Sequence, residues 1–295
     1  MSNSILDDLK LQFRMGDVTT KLIFWNIALF AIPAIVFGLL SLFNIDIDYL
    51  RSVSLSSNPS DLLWKPWSVI SYAFFHSGIF HILFNMLMLN FVGKLFITFF
   101  TQKQLLNLYF VSAIFAGLLY IGCYMVFPAL SRSDANLVGS SGAVMAILVA
   151  TATYQPFMEI RLFLFGNVKL VYLVLILIVI DLIQLPMSNT GGHLAHIGGA
   201  FFGYLYIKLI QNGTDITLWF EKIIGFFAIL FGNKKTTPFK KIHKTVAIKQ
   251  EKTVSKIVTK DKTQRQIDDI LDKISKSGYD SLSQNEKDFL FQAGK

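Results

Sequence analysis

Residues 138–154 read VGSSGAVMAILVATATY: a glycine-flanked pair of serines, Gly139-Ser140-Ser141-Gly142, and then twelve small or apolar residues without a charge. About 17–25 mostly apolar residues are needed to cross the hydrocarbon of a bilayer, so this stretch is long enough to span. Its serines stand at one end, at a depth where lipid offers no hydrogen-bond partner. Polar groups there are costly and point to function. Taken alone, the small residues also fit a plain packing motif, which is common between membrane helices.

Five further segments qualify or nearly so: 22–43, 77–100, 105–127, 168–185 and 193–210. The composition agrees with six spans. Hydrophobic residues are 53% of the chain and charged residues 16%, with 28 Phe, and the mean hydropathy is +0.53. That profile excludes an ordinary soluble globular protein. The expected fold is therefore all-α, a polytopic bundle of six membrane helices. The second, fourth and sixth segments are the polar or glycine-rich ones, and such helices pack among other helices. The first, third and fifth are greasier and suit a lipid-facing shell. The segment 22–43 is too long for the apolar part of a cleaved signal peptide and reads as a retained anchor.

Charge gives the orientation. Between Lys234 and Lys262 there are 10 Lys against Glu251 and Asp261. Lysine and arginine concentrated in the tail, the amino terminus and alternate loops predict both termini in the cytoplasm. The expected location is the cytoplasmic (inner) membrane of a bacterium, with the lysines attracted to anionic lipid. Nothing interleaves aromatics with those lysines as a nucleic-acid module does, so no nucleic-acid partner is expected. Cys123 is the single cysteine, which excludes an intrachain disulfide.

The chain divides into an N-terminal cytoplasmic segment (1–21), a membrane domain (22–211), an interfacial helix with a basic linker (212–262) and a small helical hairpin (263–295). Residues 216–232 are apolar but interrupted by Glu221 and Lys222, which favours a helix lying on the membrane. The hairpin rests on two capping-box patterns, Thr263 with Gln266 and Ser283 with Glu286, and is expected over 264–276 and 283–292. It carries no chemistry and could take a cytoplasmic partner. In the first outer loop, residues 44–76, the stretch from Leu62 through Trp64 to Trp67 suits the headgroup interface.

Under this topology His76, His81, Ser141, His193 and His196 all fall near the outer face. A serine hydroxyl needs a base within hydrogen-bond reach. His196 opens the sixth segment and is followed by Gly199 and Gly203, a spacing that lets two helix backbones approach closely. The natural partner is the small face around Ser141 and Ala146, which would bring the imidazole near the hydroxyl. His81 and Asn85, four residues apart, share one helix face and can donate to an oxyanion. Asp181, the only carboxylate near this depth, is expected to cap or anchor its own helix, which leaves a Ser–His dyad.

His76-x-x-x-x-His81-x-x-x-Asn85, Gly139-Ser140-Ser141-Gly142 and Ala195-His196-Ile197-Gly198-Gly199-x-x-x-Gly203 resemble the three signatures of the rhomboid intramembrane serine proteases. The resemblance covers about residues 20–211, with the motifs in the family's order on the second, fourth and sixth helices. It implies Ser141 as nucleophile and His196 as general base. Asn85, His81 and the Ser141 amide would form the oxyanion hole, while His76, Gly139, Gly142, Gly199 and Gly203 would be structural. The implied substrates are transmembrane proteins cleaved in or next to the bilayer, without a metal or other cofactor. Three positions depart from the family pattern: Ser68 follows Trp67 where an arginine is usual, Met145 replaces an aromatic, and Ile97 replaces a glutamate.

Two other readings compete. A non-catalytic rhomboid-like protein could bind membrane clients. Alternatively, His76, His81, His193 and His196 could ligate a metal, although the sequence places no cysteine or carboxylate with them.

Overall fold

The computed structural model describes residues 4–131, 134–162, 166–231 and 254–293. They fall in two units, Met1–Lys234 and Lys235–Lys295. In the first, α1 (Ile5–Met15) precedes α2 (Val18–Ser41); the loop that follows holds three short helices, α3 (Tyr49–Val53), α4 (Asp61–Trp64) and α5 (Ser68–Ser71), with strand β1 (Leu55–Ser56) between α3 and α4. Next come α6 (Ile79–Phe96), α7 (Gln102–Val126), strand β2 (Asn136–Leu137) and α8 (Ser141–Tyr154). Strands β3 (Glu159–Leu162) and β4 (Gly166–Lys169) lead to α9 (Leu170–Gln184), α10 (Thr190–Gln211) and α11 (Leu218–Phe231).

Each of the six segments expected to span carries a helix. Among the described residues α2, α6 and α7 are long and apolar enough to cross a membrane, whereas α8 and α9 are shorter apolar helices. The short α8 is the central helix. Every residue from Gly142 to Ala152 is buried, so the helix is wrapped by protein, as expected of one that is apolar on all sides. By contrast α9 buries only Leu170, Val174 and Asp181, and α2 only Thr19, Leu22 and Asn26, so both are peripheral.

An all-α expectation is corrected by two antiparallel ladders, β1 with β2 and β3 with β4. Runs this short have no periodicity to read. The first ladder matters for the site: it pairs Leu55 with Leu137 and Ser56 with Asn136, and Ser57 N–H donates to the Ala135 carbonyl at 2.9 Å. The long loop between α2 and α6 is thereby fastened to the segment that leads into Ser141. Trp67 Nε1 donates to the Ser52 carbonyl at 3.0 Å and Ser71 Oγ to the Val53 carbonyl at 2.7 Å, so this loop is anchored with Ser68 in place of arginine. Leu63 and Trp64 remain about 80% exposed.

Two elements differ from expectation. Residues 5–15, within the N-terminal segment for which no helix is expected, form an amphipathic helix capped by Ser4. In the second unit α12 runs over Val254–Ser277 and α13 over Gln284–Ala293, so helix formation begins well before Thr263. A capping-box pattern starts a helix only when the residues before it are non-helical, and 254–262 contain neither Gly nor Pro. The Ser283 cap stands: Ser283 N–H donates to Glu286 Oε2 at 2.7 Å, and Glu286 N–H to Ser283 Oγ at 3.4 Å. The remainder of the basic linker, residues 232–253, lies outside the described residues.

Candidate active site

Ser141 is the first residue of α8, and the backbone before it is special. Gly139 has φ +122°, a conformation that side chains resist. A Cβ there would also sit 2.8 Å from His81 Nε2, so the imidazole would have to shift to admit one. Gly139 N–H is held by the Tyr72 carbonyl at 2.9 Å, and Val144 N–H is the first to bond back into the helix, to Ser140 O at 3.0 Å. The amides of the first turn therefore have no partner within the helix and are free to meet negative charge.

The helix that carries His196 packs against α8 along the expected glycine seam. A Cβ on Gly199 would collide with the carbonyl of Gly142, and one on Gly203 with the carbonyl of Ala146. Gly142 in turn faces the Ala195 carbonyl, which a Cβ would approach to 3.0 Å. The two backbones are in contact because at each of these points at least one of them is glycine. Dispersion contacts of this kind are the main attraction between helices that gain nothing from leaving water.

A cavity of about 620 Å³ opens beside this seam, lined by Ser141, His196, His81, Asn85 and Asp181, with Met145, Leu148 and Leu177 as part of its apolar wall. All four residues expected to act chemically thus face one space. Among the described residues no hydrogen bond joins Ser141 to His196. Such bonds are often loose until substrate is bound. His81 Nδ1 lies 3.0 Å from Ser77 Oγ, which leaves its Nε2 beside Gly139. Asn85 is fixed at both ends of its amide: Nδ2 donates to the His81 carbonyl at 2.9 Å and Oδ1 accepts from Ser140 Oγ at 3.2 Å. His76 does not line the cavity. It is 1% exposed, lies 3.4 Å from Ser140 Oγ through Nε2, and its ring packs edge-on against His81. Ser140, wholly buried, is therefore the support beneath Asn85, a role its neighbour's prominence in the motif concealed.

The reading of Asp181 needs correction. Its Oδ1 accepts hydrogen bonds from His193 Nδ1 at 2.7 Å and His196 Nδ1 at 2.8 Å, so a carboxylate does stand behind the candidate base. The signal was present as an intramembrane aspartate near two histidines three residues apart, but pairing across two helices is a tertiary fact. The four-histidine metal set is corrected too. It splits into His76 with His81 and His193 with His196, and a carboxylate joins the second pair. Asp181, His193 and His196 offer donor atoms within 4.8 Å of one another and could hold an ion, although two N–H donors sharing one carboxylate oxygen already account for the arrangement.

Comparison with known proteins adds an independent finding. A family model of the Rhomboid domain matches residues 63–212, half of the chain, and a second, a family of unknown function (DUF6576), matches residues 258–292. Two similar proteins are the mitochondrial presenilin-associated rhomboid-like proteins of Mus musculus and Rattus norvegicus, each 27% identical over 181 residues, or 56% of this chain. The matched part is 45% of the length of each relative.

Proposed function

The chain belongs to the rhomboid family and is an integral membrane protein, and we propose that it is an intramembrane serine endopeptidase that hydrolyses peptide bonds in or near the transmembrane segments of other proteins. The observation that carries this reading is the glycine seam, which sets Ser141 and His196 on neighbouring backbones and on one cavity with His81 and Asn85. In the proposed reaction Ser141 Oγ attacks the scissile carbonyl carbon while His196 Nε2 takes its proton. The oxyanion is met by the Ser141 amide, His81 and Asn85. His196 then hands the proton to the leaving amine, and water, activated by the same imidazole, releases the acyl group. No metal or cofactor takes part.

The proposed topology has α2 and α6 to α10 crossing the bilayer, with both termini on the lysine-rich side. α11 lies at the interface there. Its Glu221 accepts from Lys103 Nζ at 3.2 Å and Asn107 Nδ2 at 3.0 Å, a polar tie at the start of α7 that suits a helix on the surface. The helices α12 and α13 form a cytoplasmic pair open to a partner.

The test is co-expression with single-span membrane proteins, comparing wild type with Ser141→Ala and His196→Ala. Cleavage by wild type alone supports the reading. Stable association without cleavage by any form would favour a client-binding protein, and cleavage abolished by a chelator would favour a metal site.

A further inference from the structure

A carboxylate inside a bilayer bundle demands a reason, since its burial is costly unless hydrogen bonds offset it. Asp181 is 5% exposed, and a single oxygen takes both of its imidazole bonds. Both distances lie in the range of charge-assisted hydrogen bonds. A carboxylate can only accept, so each Nδ1 carries a proton. For His196 this has a chemical consequence. With Nδ1 protonated, the lone pair of the neutral ring is on Nε2, the nitrogen free to face the cavity, and a negative charge waits behind the ring for the moment it gains a second proton.

We infer that Asp181 is a positioning residue for the general base: the peripheral helix α9 supplies the carboxylate that fixes the tautomer of His196 and stabilises its imidazolium. The inference rests on the serine-peptidase reading for its effect on rate. The contact also ties α9 to α10, and a tether alone is the bland alternative. His193 separates the two, because it makes the same bond to the same oxygen yet is not among the cavity-lining residues. A tether is weakened by losing either imidazole, whereas positioning of His196 depends on Asp181 alone.

The experiment uses the full chain in detergent with a fluorophosphonate probe, whose saturation behaviour gives a maximal labelling rate and an apparent affinity. Asp181→Asn keeps the volume but allows the opposite tautomer. It should lower the maximal rate of Ser141 labelling between about 10² and 10⁴-fold and change the apparent affinity less than about threefold. His193→Ala should retain the rate within about threefold. ¹⁵N spectra of histidine-labelled protein should show His196 Nδ1 protonated and Nε2 unprotonated in the wild type, with a mixed population in Asp181→Asn. An Asp181→Asn rate within threefold of wild type, or a His193→Ala loss as large as that of Asp181→Asn, overturns the inference. Should Asp181→Asn fail to fold, the wild-type spectrum decides, and an unprotonated Nδ1 overturns it. If wild type does not label Ser141 at all, the peptidase reading fails, while the tautomer still tests the hydrogen-bond assignment.

Discussion

The α8–α10 seam and the α12–α13 pair are both two-helix contacts, yet they are held by different physics. In the seam, glycine backbones touch carbonyls and no charge takes part. In the C-terminal unit Lys273 Nζ meets Glu286 Oε1 at 3.0 Å, Ser283 and Glu286 form a reciprocal cap, and Lys287 lies over the Tyr279 ring. Water removes most of the worth of exposed ion pairs but supplies the drive to bury Ile270 and Leu282. Lipid supplies no such drive, so close approach must do the work. A functional site that needs a hydroxyl and an imidazole held at fixed distance is better served by the first kind of contact.

The comparison breaks if the seam tolerates bulk. Gly199→Val should abolish fluorophosphonate labelling of Ser141 and lower the melting temperature, because overpacking a tight contact costs about 1–3 kcal/mol and the carbonyl of Gly142 has nowhere to go. Gly122→Ala, where an added Cβ meets nothing within 4 Å, is the control and should leave both unchanged. Next in size, Asn85→Ala should slow labelling by about 10²–10³-fold as one lost oxyanion donor, without altering the fold. Ser140→Ala removes the bond that orients Asn85 and should cost about tenfold, in line with about 1–2 kcal/mol for an unsatisfied buried acceptor.

The smallest effect lies in the other unit. Glu286 is held down to about 2, first by the Ser283 backbone N–H and then by Lys273. A carboxyl depressed in the folded state contributes stability above its unfolded value, near 4.3 for glutamate, and loses it as pH falls through the folded one. The protection factors of the amides in 284–290, referred to the intrinsic exchange rate at each pH, should therefore fall as pH drops from about 5 toward 2, while those of Ala146–Ala152 stay unchanged. An equal fall in both regions would erase the distinction drawn between them.

Much of the site was legible because its parts are local. Gly139 and Gly142 flank Ser141, His81 and Asn85 are one turn apart, and Gly199 with Gly203 announces a close backbone contact whose partner, the Ser141–Ala146 face, could be named. The fold was legible as a set of helical segments for the same reason, since apolar length is a local property. What escaped is non-local. Asp181 meets His196 across two helices, Ser140 meets Asn85 of α6 and His76 of the loop before it, and the two-residue ladder at Leu55 has no pattern to recognise. The amphipathic helix of residues 5–15 was hidden by its polar average, although Ile5, Leu9 and Phe13 recur at helical spacing.

The central claim is that this seam makes Ser141, and not its buried neighbour, a nucleophile. The direct measurement is mass spectrometry of the full-length protein after reaction with a fluorophosphonate, with the adduct mapped to a residue. The account predicts one adduct, on Ser141, lost in His196→Ala. An adduct on Ser140, or none on either serine in folded protein, would contradict it.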